Sequence, residues 1–291
     1  FTGTTSSRTN PLVLMADPLA SEDHGKVYGF NLLYSGNHYE SFDVNSFGKN
    51  RFANGINADH FEWVLAPGET FETPESVMTF SDGGYNGMSH NMHRFVRKHI
   101  TRGVWRDQER PILLNSWEAN DFDIDEGKLL KLAKEGKEAG MELFGMDDGW
   151  FGDRKDDKRA LGDWFVNTKK LPGGLKGLAD KIHKMGLKFG IWIEPEMVNV
   201  DSELYRRHPE WAMDIPGMDH SEGRNQRDLD FSNPEVVDYM IQTMTEVLSS
   251  AEIDYVKWDM NRIFSDIYSR YLPEDRQGEV THRYVLGLYR L

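Results

Sequence analysis

Near the end of the chain, Asp254-Tyr-Val-Lys-Trp-Asp-Met-Asn261 runs from a β-branched and aromatic stretch into charge. A buried strand of an α/β protein usually stays apolar to its end. Lys257 and Asp259 lie two apart, so in a strand both side chains leave by the same face. An ammonium beside a carboxyl group favours the ionised form. A fixed, ionised carboxylate at the C-terminal end of a strand suits a nucleophile, a sugar clamp or a metal ligand. It suits a structural ion pair equally well.

The other unusual residues fall at comparable places: Trp117; Asp147 and Asp148; Trp192 and Glu194; Arg224 in a loop. Each has a plain alternative, Trp192 as core and Glu194-Pro-Glu196 as a helix-start charge pair among them. Together they describe a ligand. Carboxylates accept hydrogen bonds from hydroxyls, and indole faces stack on the C–H faces of a sugar ring. Carboxylates, tryptophan and one Lys or Arg, with no cysteine and no histidine cluster, fit a carbohydrate better than a phosphate or a metal. Glycoside hydrolysis needs two carboxyl groups, one ionised and one whose pKa is raised. Asp259 has the surroundings of the ionised partner. Asp148 and Glu194 are the nominees for the acid, but nothing near them in the sequence would raise their pKa.

These residues need a frame. From Arg110 the chain alternates strand, turn and helix. Strands are expected at Pro111–Trp117, Leu143–Asp148, Lys188–Glu194, Arg227–Phe231 and the opening stretch. Asp125 caps a helix carrying Leu129, Leu130, Leu132 and Ala133, which stops at Gly140. A second helix carries Leu175, Leu178, Ile182 and Met185 and stops at Gly186. A third begins at Asn233-Pro234 and turns Val237, Met240, Ile241, Met244 and Leu248 inward. Such repeats mean parallel strands with right-handed crossovers, at the pitch of a (β/α)8 TIM barrel. In that fold, active sites gather at the C-terminal ends of the strands. A full barrel takes roughly 250 residues, so about five strands fit here. A doubly wound sheet would need a glycine-rich phosphate turn. Asp147-Asp-Gly-Trp-Phe-Gly152 is not one, because its two carboxylates would repel a phosphate.

Upstream, Lys26–Tyr34, Phe61–Leu65 and Ser76–Phe80 read as short strands punctuated by turns, the pattern of a β-sandwich. Asp43 and His60 read as sheet and loop residues. Asn86 to about Ile100 is helix-like. Its His90 and His93 are three apart, but no carboxylate completes a ligand set, so a polar helix face joining two domains fits better. The expected domains are 1–84, a β-sandwich part; 85–105, a helical linker; and 106–291, the N-terminal part of a barrel.

The chain has 291 residues, a net charge of −14 and no cysteine. An acidic balance argues against nucleic-acid binding. No signal peptide and no membrane span stand out, and an intracellular, cytoplasmic setting is expected. The chain opens at Phe1 and closes inside an amphipathic pattern of Val280, Tyr284, Leu288 and Leu291. It is therefore expected to be an internal fragment.

Four ordered stretches, Asp147-Asp-Gly-Trp-Phe-Gly, Leu171-Pro-Gly-Gly-Leu, Gly190-Ile-Trp-Ile-Glu-Pro-Glu-Met197 and Lys257-Trp-Asp-Met-Asn261, resemble the retaining α-galactosidases of glycoside hydrolase family 36. Gly29-Phe-Asn-Leu-Leu-Tyr-Ser-Gly and Leu65-Ala-Pro-Gly-Glu resemble the end of that family's N-terminal β-supersandwich. The resemblance implies an exo-acting α-galactosidase working by double displacement on raffinose- or melibiose-type oligosaccharides, without metal or cofactor. Asp259 would be the nucleophile, and Lys257 would bind hydroxyls and keep Asp259 charged. Asp147 and Asp148 would grip the 4- and 6-hydroxyls. Trp192 would form a wall, Arg224 would reach another hydroxyl and Trp117 would close the pocket. The family's acid/base is an Asp well downstream of the nucleophile, expected beyond Leu291. The polypeptide alone is therefore expected to be poorly stable and nearly inactive. The family often forms tetramers. An α-N-acetylgalactosaminidase and a non-catalytic sugar-binding protein are the alternatives.

Overall fold

A computed structural model describes residues 3–291, which divide into two compact units between Arg110 and Pro111. In the first unit, β1 (Leu12–Ala16) pairs antiparallel with β2 (Val27–Leu33). β3 (His38–Val44) and β4 (Asn50–Ile56) form a separate hairpin. β5 (Glu75–Ser81) returns to the other edge of β2. Phe30 of β2 packs at 4.0 Å from Phe52 and 6.0 Å from Phe42, centroid to centroid, which joins the hairpin to the sheet. Helix α1 (Gly84–Phe95) runs on into a π-helical turn at Val96–Ile100. It packs on β2 at Gly29, where a Cβ would stand 2.8 Å from Met88 Sδ. A larger residue there would make the Met88 and Met92 side chains give way.

One expected strand is absent. Phe61–Leu65 has no regular structure. Its alternation is real, but the aromatic face is used in loop packing: Phe61 and Trp63 lie 5.9 and 4.9 Å from Phe71. Alternation licenses an extended chain, whereas a strand also needs a neighbour to complete its ladder.

The second unit is built on a four-stranded parallel sheet. β6 (Leu113–Asn115) is followed by a short α2 (Trp117–Asn120) and by α3 (Glu126–Glu138). Then come β7 (Leu143–Met146), α4 (Gly174–Lys184) and β8 (Lys188–Ile193). The connection after β8 holds β9 (Met197–Asn199), α5 (Glu203–Arg207) and β10 (Gln226–Asp228). Helix α6 (Pro234–Ser249), β11 (Tyr255–Trp258) and α7 (Val280–Arg290) complete the chain. The sheet order is β6-β7-β8-β11, every pair parallel. This is the N-terminal part of a TIM barrel.

The helices form where side-chain periodicity and caps agree. The Asp125 carboxylate accepts from Lys128 N at 2.8 Å, and the Asn233 side chain accepts from Glu235 N at 2.9 Å. Each such cap stabilises its helix by about 1 kcal/mol. Helix α4 buries Leu175, Leu178, Ala179 and Ile182. Burying a large side chain of this kind contributes roughly 1.5–3 kcal/mol. Helix α6 buries Val237, Met240 and Met244 as expected, with Val236 and Val247 in place of Ile241 and Leu248.

Two expectations fail here. Arg227–Phe231 is not a barrel strand. Its first residues belong to β10, which pairs antiparallel with β9 and lies wholly within the connection from β8 to β11. Gln226-Arg-Asp has no apolar face to offer a barrel. Strand β11 therefore sits directly beside β8, and the sheet has four strands, not five. Trp117 is not on a strand either. Asn115 Oδ1 accepts from Trp117 N at 2.7 Å and turns the chain into α2.

Candidate active site

Register places the chemistry. Asn115, Gly145, Gly190 and Tyr255 lie side by side across the four strands. Side chains alternate with period two. Two residues on, the same face carries Asp147, Trp192 and Lys257, and two further on it carries Glu194 and Asp259. Residues far apart in sequence thus reach one end of one face by strand geometry alone.

Asp259 is half-buried. Its Oδ2 accepts from Trp192 Nε1 at 2.9 Å and from Asn261 Nδ2 at 2.8 Å, and its Oδ1 accepts from Met260 N at 3.1 Å. Burial alone would push the carboxyl group upward. The donors from Trp192 and Asn261, the charge of Lys257 and the Met260 amide together outweigh it, and the group titrates below the usual range. Asp259 is held ionised.

Lys257 does not pair with Asp259, which corrects the reading of these two as a strand-end pair. Its Nζ donates to Asp147 Oδ2 at 2.8 Å. It acts on Asp259 only through space, after the two side-chain donors in order of effect. Asp147 Oδ2 also accepts from Asn115 Nδ2 at 2.7 Å, and Oδ1 from Asp148 N at 2.9 Å. Asp148 is bound by Arg154, with Nη2 to Oδ2 at 2.7 Å and Nε to Oδ1 at 3.0 Å. Both side chains are almost fully buried, and burial still pushes the Asp148 carboxyl group up against the pull of Arg154. Gly149, at φ 107°, makes the turn that follows the two aspartates, a backbone state that disfavours other residues.

Trp192 is buried, and its ring stacks on Phe151 at 6.1 Å with planes 5° apart. The Trp192 carbonyl accepts from Trp150 Nε1 at 2.9 Å, which fixes the strand end. Trp117 meets the site through its backbone N–H on Asn115, while its ring packs edge-on against Phe122 at 4.9 Å. Arg224 is exposed and donates to Asn261 Oδ1 at 2.8 Å. It does so from a strained turn: Arg224 and Asn225 have φ of 52° and 60°, where side chains other than glycine are disfavoured.

Two residues of the site carried no expectation. Asn261 stands at its centre, with Nδ2 on Asp259, Oδ1 on Arg224 and N–H on Glu194 Oε1 at 2.5 Å. It lies two residues past Asp259 in the same stretch, so its spacing was a usable signal. Arg154 has no such signal. Its Nη1 donates to Asn199 Oδ1 at 2.8 Å, and Asn199 Nδ2 donates to the Asn225 carbonyl at 2.7 Å. That chain ties Asp148 to the strained turn, and it exists only in the folded state.

Glu194, nominated as an acid, is fully buried, and both oxygens face protein donors: Asn261 N on Oε1 and Gln226 Nε2 at 3.0 Å on Oε2. It presents no oxygen to a leaving group. The expectation that nothing would raise its pKa is corrected: burial, with the charges of Asp259 and Asp148, pushes it to about 7. Asp148, the other nominee, is committed to Arg154. His90 and His93 have ring centroids 6.4 Å apart, and among the described residues no group of three His, Cys, Asp or Glu suits a metal. No helix among them is long and apolar enough to cross a membrane.

An ionised aspartate, a second carboxylate paired with lysine and a buried indole thus gather at the C-terminal ends of the parallel strands. The Melibiase family model matches residues 70–291, and the glycosyl hydrolase family 36 N-terminal domain matches residues 1–66. The chain belongs to glycoside hydrolase family 36. It is 52% identical to alpha-galactosidase AgaA of Geobacillus stearothermophilus over 99% of its own length and 40% of that protein's. It superposes on the crystal structure of the family 36 alpha-galactosidase AgaB of the same organism with a TM-score of 0.96, at 52% identity, over 99% of this chain and 40% of that one. A variant of AgaA solved in complex with raffinose gives a TM-score of 0.94 at 51% identity, over 100% of this chain and 42% of that one. The chain thus spans about 40% of the length of these relatives.

Proposed function

We propose that this chain carries the nucleophile side of a retaining exo-α-galactosidase site that takes terminal α-linked galactose from raffinose- or melibiose-type oligosaccharides. The carrying observation is the state of Asp259: ionised, with Oδ2 filled by Trp192 and Asn261 and Oδ1 holding one backbone donor. Oδ1 is the oxygen with a lone pair to spare. It attacks the anomeric carbon as the aglycone oxygen leaves, and water later hydrolyses the glycosyl-enzyme. Trp192 and Asn261 orient the carboxylate for that attack.

Lys257 and Asp147 form a fixed cation–anion pair that can bind neighbouring ring hydroxyls, and Asp148 extends it. The relatives named alpha-galactosidases and the raffinose complex of one of them support the substrate class. We place the acid/base outside this stretch of sequence, because neither Asp148 nor Glu194 is free to protonate a leaving group. Domains at 1–84 and 106–291 joined through 85–105, a tetrameric assembly and a cytoplasmic location belong to the same proposal. It rests on the family resemblance and on composition.

The test uses the natural full-length polypeptide. Asp259→Ala and Asp259→Asn should abolish turnover of an aryl α-galactoside while galactose still binds, and the wild type should release α-galactose first. Persisting hydrolysis, or β-galactose as first product, would refute the assignment.

A further inference from the structure

Behind the nucleophile lies a layer of carboxyl groups that the proposed reaction does not use: Glu194, Glu196 and Asp228, all buried. Glu194 is the one that touches the site. Its Oε1 accepts the Asn261 N–H, and Asn261 in turn donates to Asp259. The charged groups facing it are mostly anionic. Asp259 at the end of β11 and Asp148 at the end of β7 both act on it, and Glu196 lies two residues on and feels its charge. Two arginines reach its hydrogen-bond partners and not Glu194 itself: Arg224 on Asn261 Oδ1 at 2.8 Å and Arg262 on the Gln226 carbonyl at 2.6 Å. No Lys, Arg or His among the described residues pairs with the Glu194 carboxyl group.

A second observation points the same way. Gln226, whose amide faces Glu194 Oε2, has a buried Oε1 with no hydrogen-bond partner. A half-turn of that amide exchanges its nitrogen and oxygen positions. It would bring the orphaned oxygen onto Glu194 Oε2, where it can accept a proton. A buried carbonyl oxygen left unpaired is costly; a neutral Glu194 gives that oxygen a donor, and the amide nitrogen takes the position the oxygen held.

We propose that Glu194 is a positioning residue that works as a neutral acid: its Oε2–H donates to Gln226 Oε1 while its Oε1 fixes the Asn261 N–H, and Asn261 so held keeps its amide on the nucleophile. The part played in catalysis rests on Asp259 being the nucleophile; the protonation state does not. Chemically, the device lets two neighbouring carboxyl groups carry one negative charge, and places it on Asp259. Burial first, and the charges of Asp259 and Asp148 second, raise the Glu194 carboxyl group to about 7. Because its folded pKa lies above the ordinary 4.5, the protonated form stabilises the fold below that value. The stabilisation fades as pH climbs through about 7.

Infrared difference spectroscopy of the natural full-length polypeptide tests this directly. The spectrum of wild type minus Glu194→Gln near pH 6 should contain one protonated-carboxyl band, distinct from any due to Glu196 or Asp228. The melting temperature of Glu194→Gln should rise relative to wild type between about pH 5 and about pH 8, because the glutamine is already neutral. With an aryl α-galactoside, Glu194→Ala should lower kcat/KM by about tenfold or more, the scale of one lost buried hydrogen bond, and Glu194→Gln should rescue most of that loss. If Glu194→Gln does not fold, Gln226→Met should shift the same band to higher frequency by removing its acceptor. Absence of the band, a pH-independent melting difference, or equal damage from Gln and Ala would overturn the proposal. If the wild type hydrolyses no galactoside at all, the activity reading falls, while the infrared band still decides the state of Glu194.

Discussion

Asp259 and the layer formed by Glu194, Glu196 and Asp228 are carboxyl groups within one neighbourhood, yet their pKa values are pushed in opposite directions. Asp259 is half-buried and takes three donors, and its pKa is lowered. The three behind it are almost wholly buried, and each is pushed up to about 7 with burial as the first cause. Donors are not missing in the rear layer. Glu196 Oε2 accepts from Trp258 Nε1 at 2.5 Å, and Asp228 lies 3.2 Å from Arg262. The difference lies in solvent: the last measure of burial costs more than one or two hydrogen bonds return. The protein thus holds one carboxyl group below its ordinary range and pushes three others above it, from one side-chain chemistry.

The largest effect should come from removing the ionised member. Asp259→Asn is expected to cut turnover of an activated galactoside by about 10⁴-fold or more, as loss of a covalent nucleophile does. It should also lower the Glu194 pKa, since the Asp259 charge is one cause of its elevation. Steady-state kinetics and infrared titration of the same variant would read both. An unmoved Glu194 would mean the two regions do not sense each other.

Arg154→Leu should turn Asp148 into a member of the rear layer. The ion pair is almost completely buried. Breaking it strands a carboxylate at about 3–5 kcal/mol. Urea unfolding followed by tryptophan fluorescence should register that loss at neutral pH and a smaller one in acid, where Asp148 can take a proton. A loss that does not change with pH would mean the cost is packing and not charge.

Trp192→Phe is a milder move in the same direction. It removes one donor from Asp259 Oδ2 and keeps most of the ring packing. The Asp259 pKa is lowered in the folded protein, so losing a donor raises it, and the acid limb of kcat/KM should shift to higher pH. The loss above that limb should be about tenfold, the scale of one hydrogen bond to a charged group. An unshifted limb would mean that Lys257 and Asn261 alone hold Asp259 ionised.

The smallest effect concerns the turn that aims Arg224. Asn225→Gly should relieve the left-handed backbone and change stability by no more than about 1 kcal/mol, because glycine's added freedom in the unfolded chain offsets part of the relief. KM should rise slightly if the strain serves to point Arg224 at Asn261. Unchanged KM would assign the turn to the fold alone.

Much of the barrel was legible in the sequence because local rules agree there. Asp125 and Asn233-Pro234 cap helices, Gly186 ends one, and the apolar stripe of α4 falls at helical spacing. The aspartates, Trp192 and Asp259 were legible for a related reason: each is a polar or aromatic interruption at the end of an apolar run. Arg227–Phe231 misled because a run of alternating residues does not say which strand it will pair with. Phe61–Leu65 misled in the same way.

Sequence alone determined which residues lie on one strand face and that the strands are parallel, since periodicity and crossover length are local properties. It also pointed to the sugar site proposed above, because carboxylates and indoles together at strand ends suit the hydroxyls and C–H faces of a sugar ring. Only the tertiary structure decided who pairs with whom. Lys257 serves Asp147 and not Asp259, Arg154 reaches back to Asp148, and Asn261 joins two strand ends and one loop. It also decided which carboxyl groups are held low and which are pushed up. That depends on the balance between desolvation and donors, and both are set by neighbours brought from far along the chain.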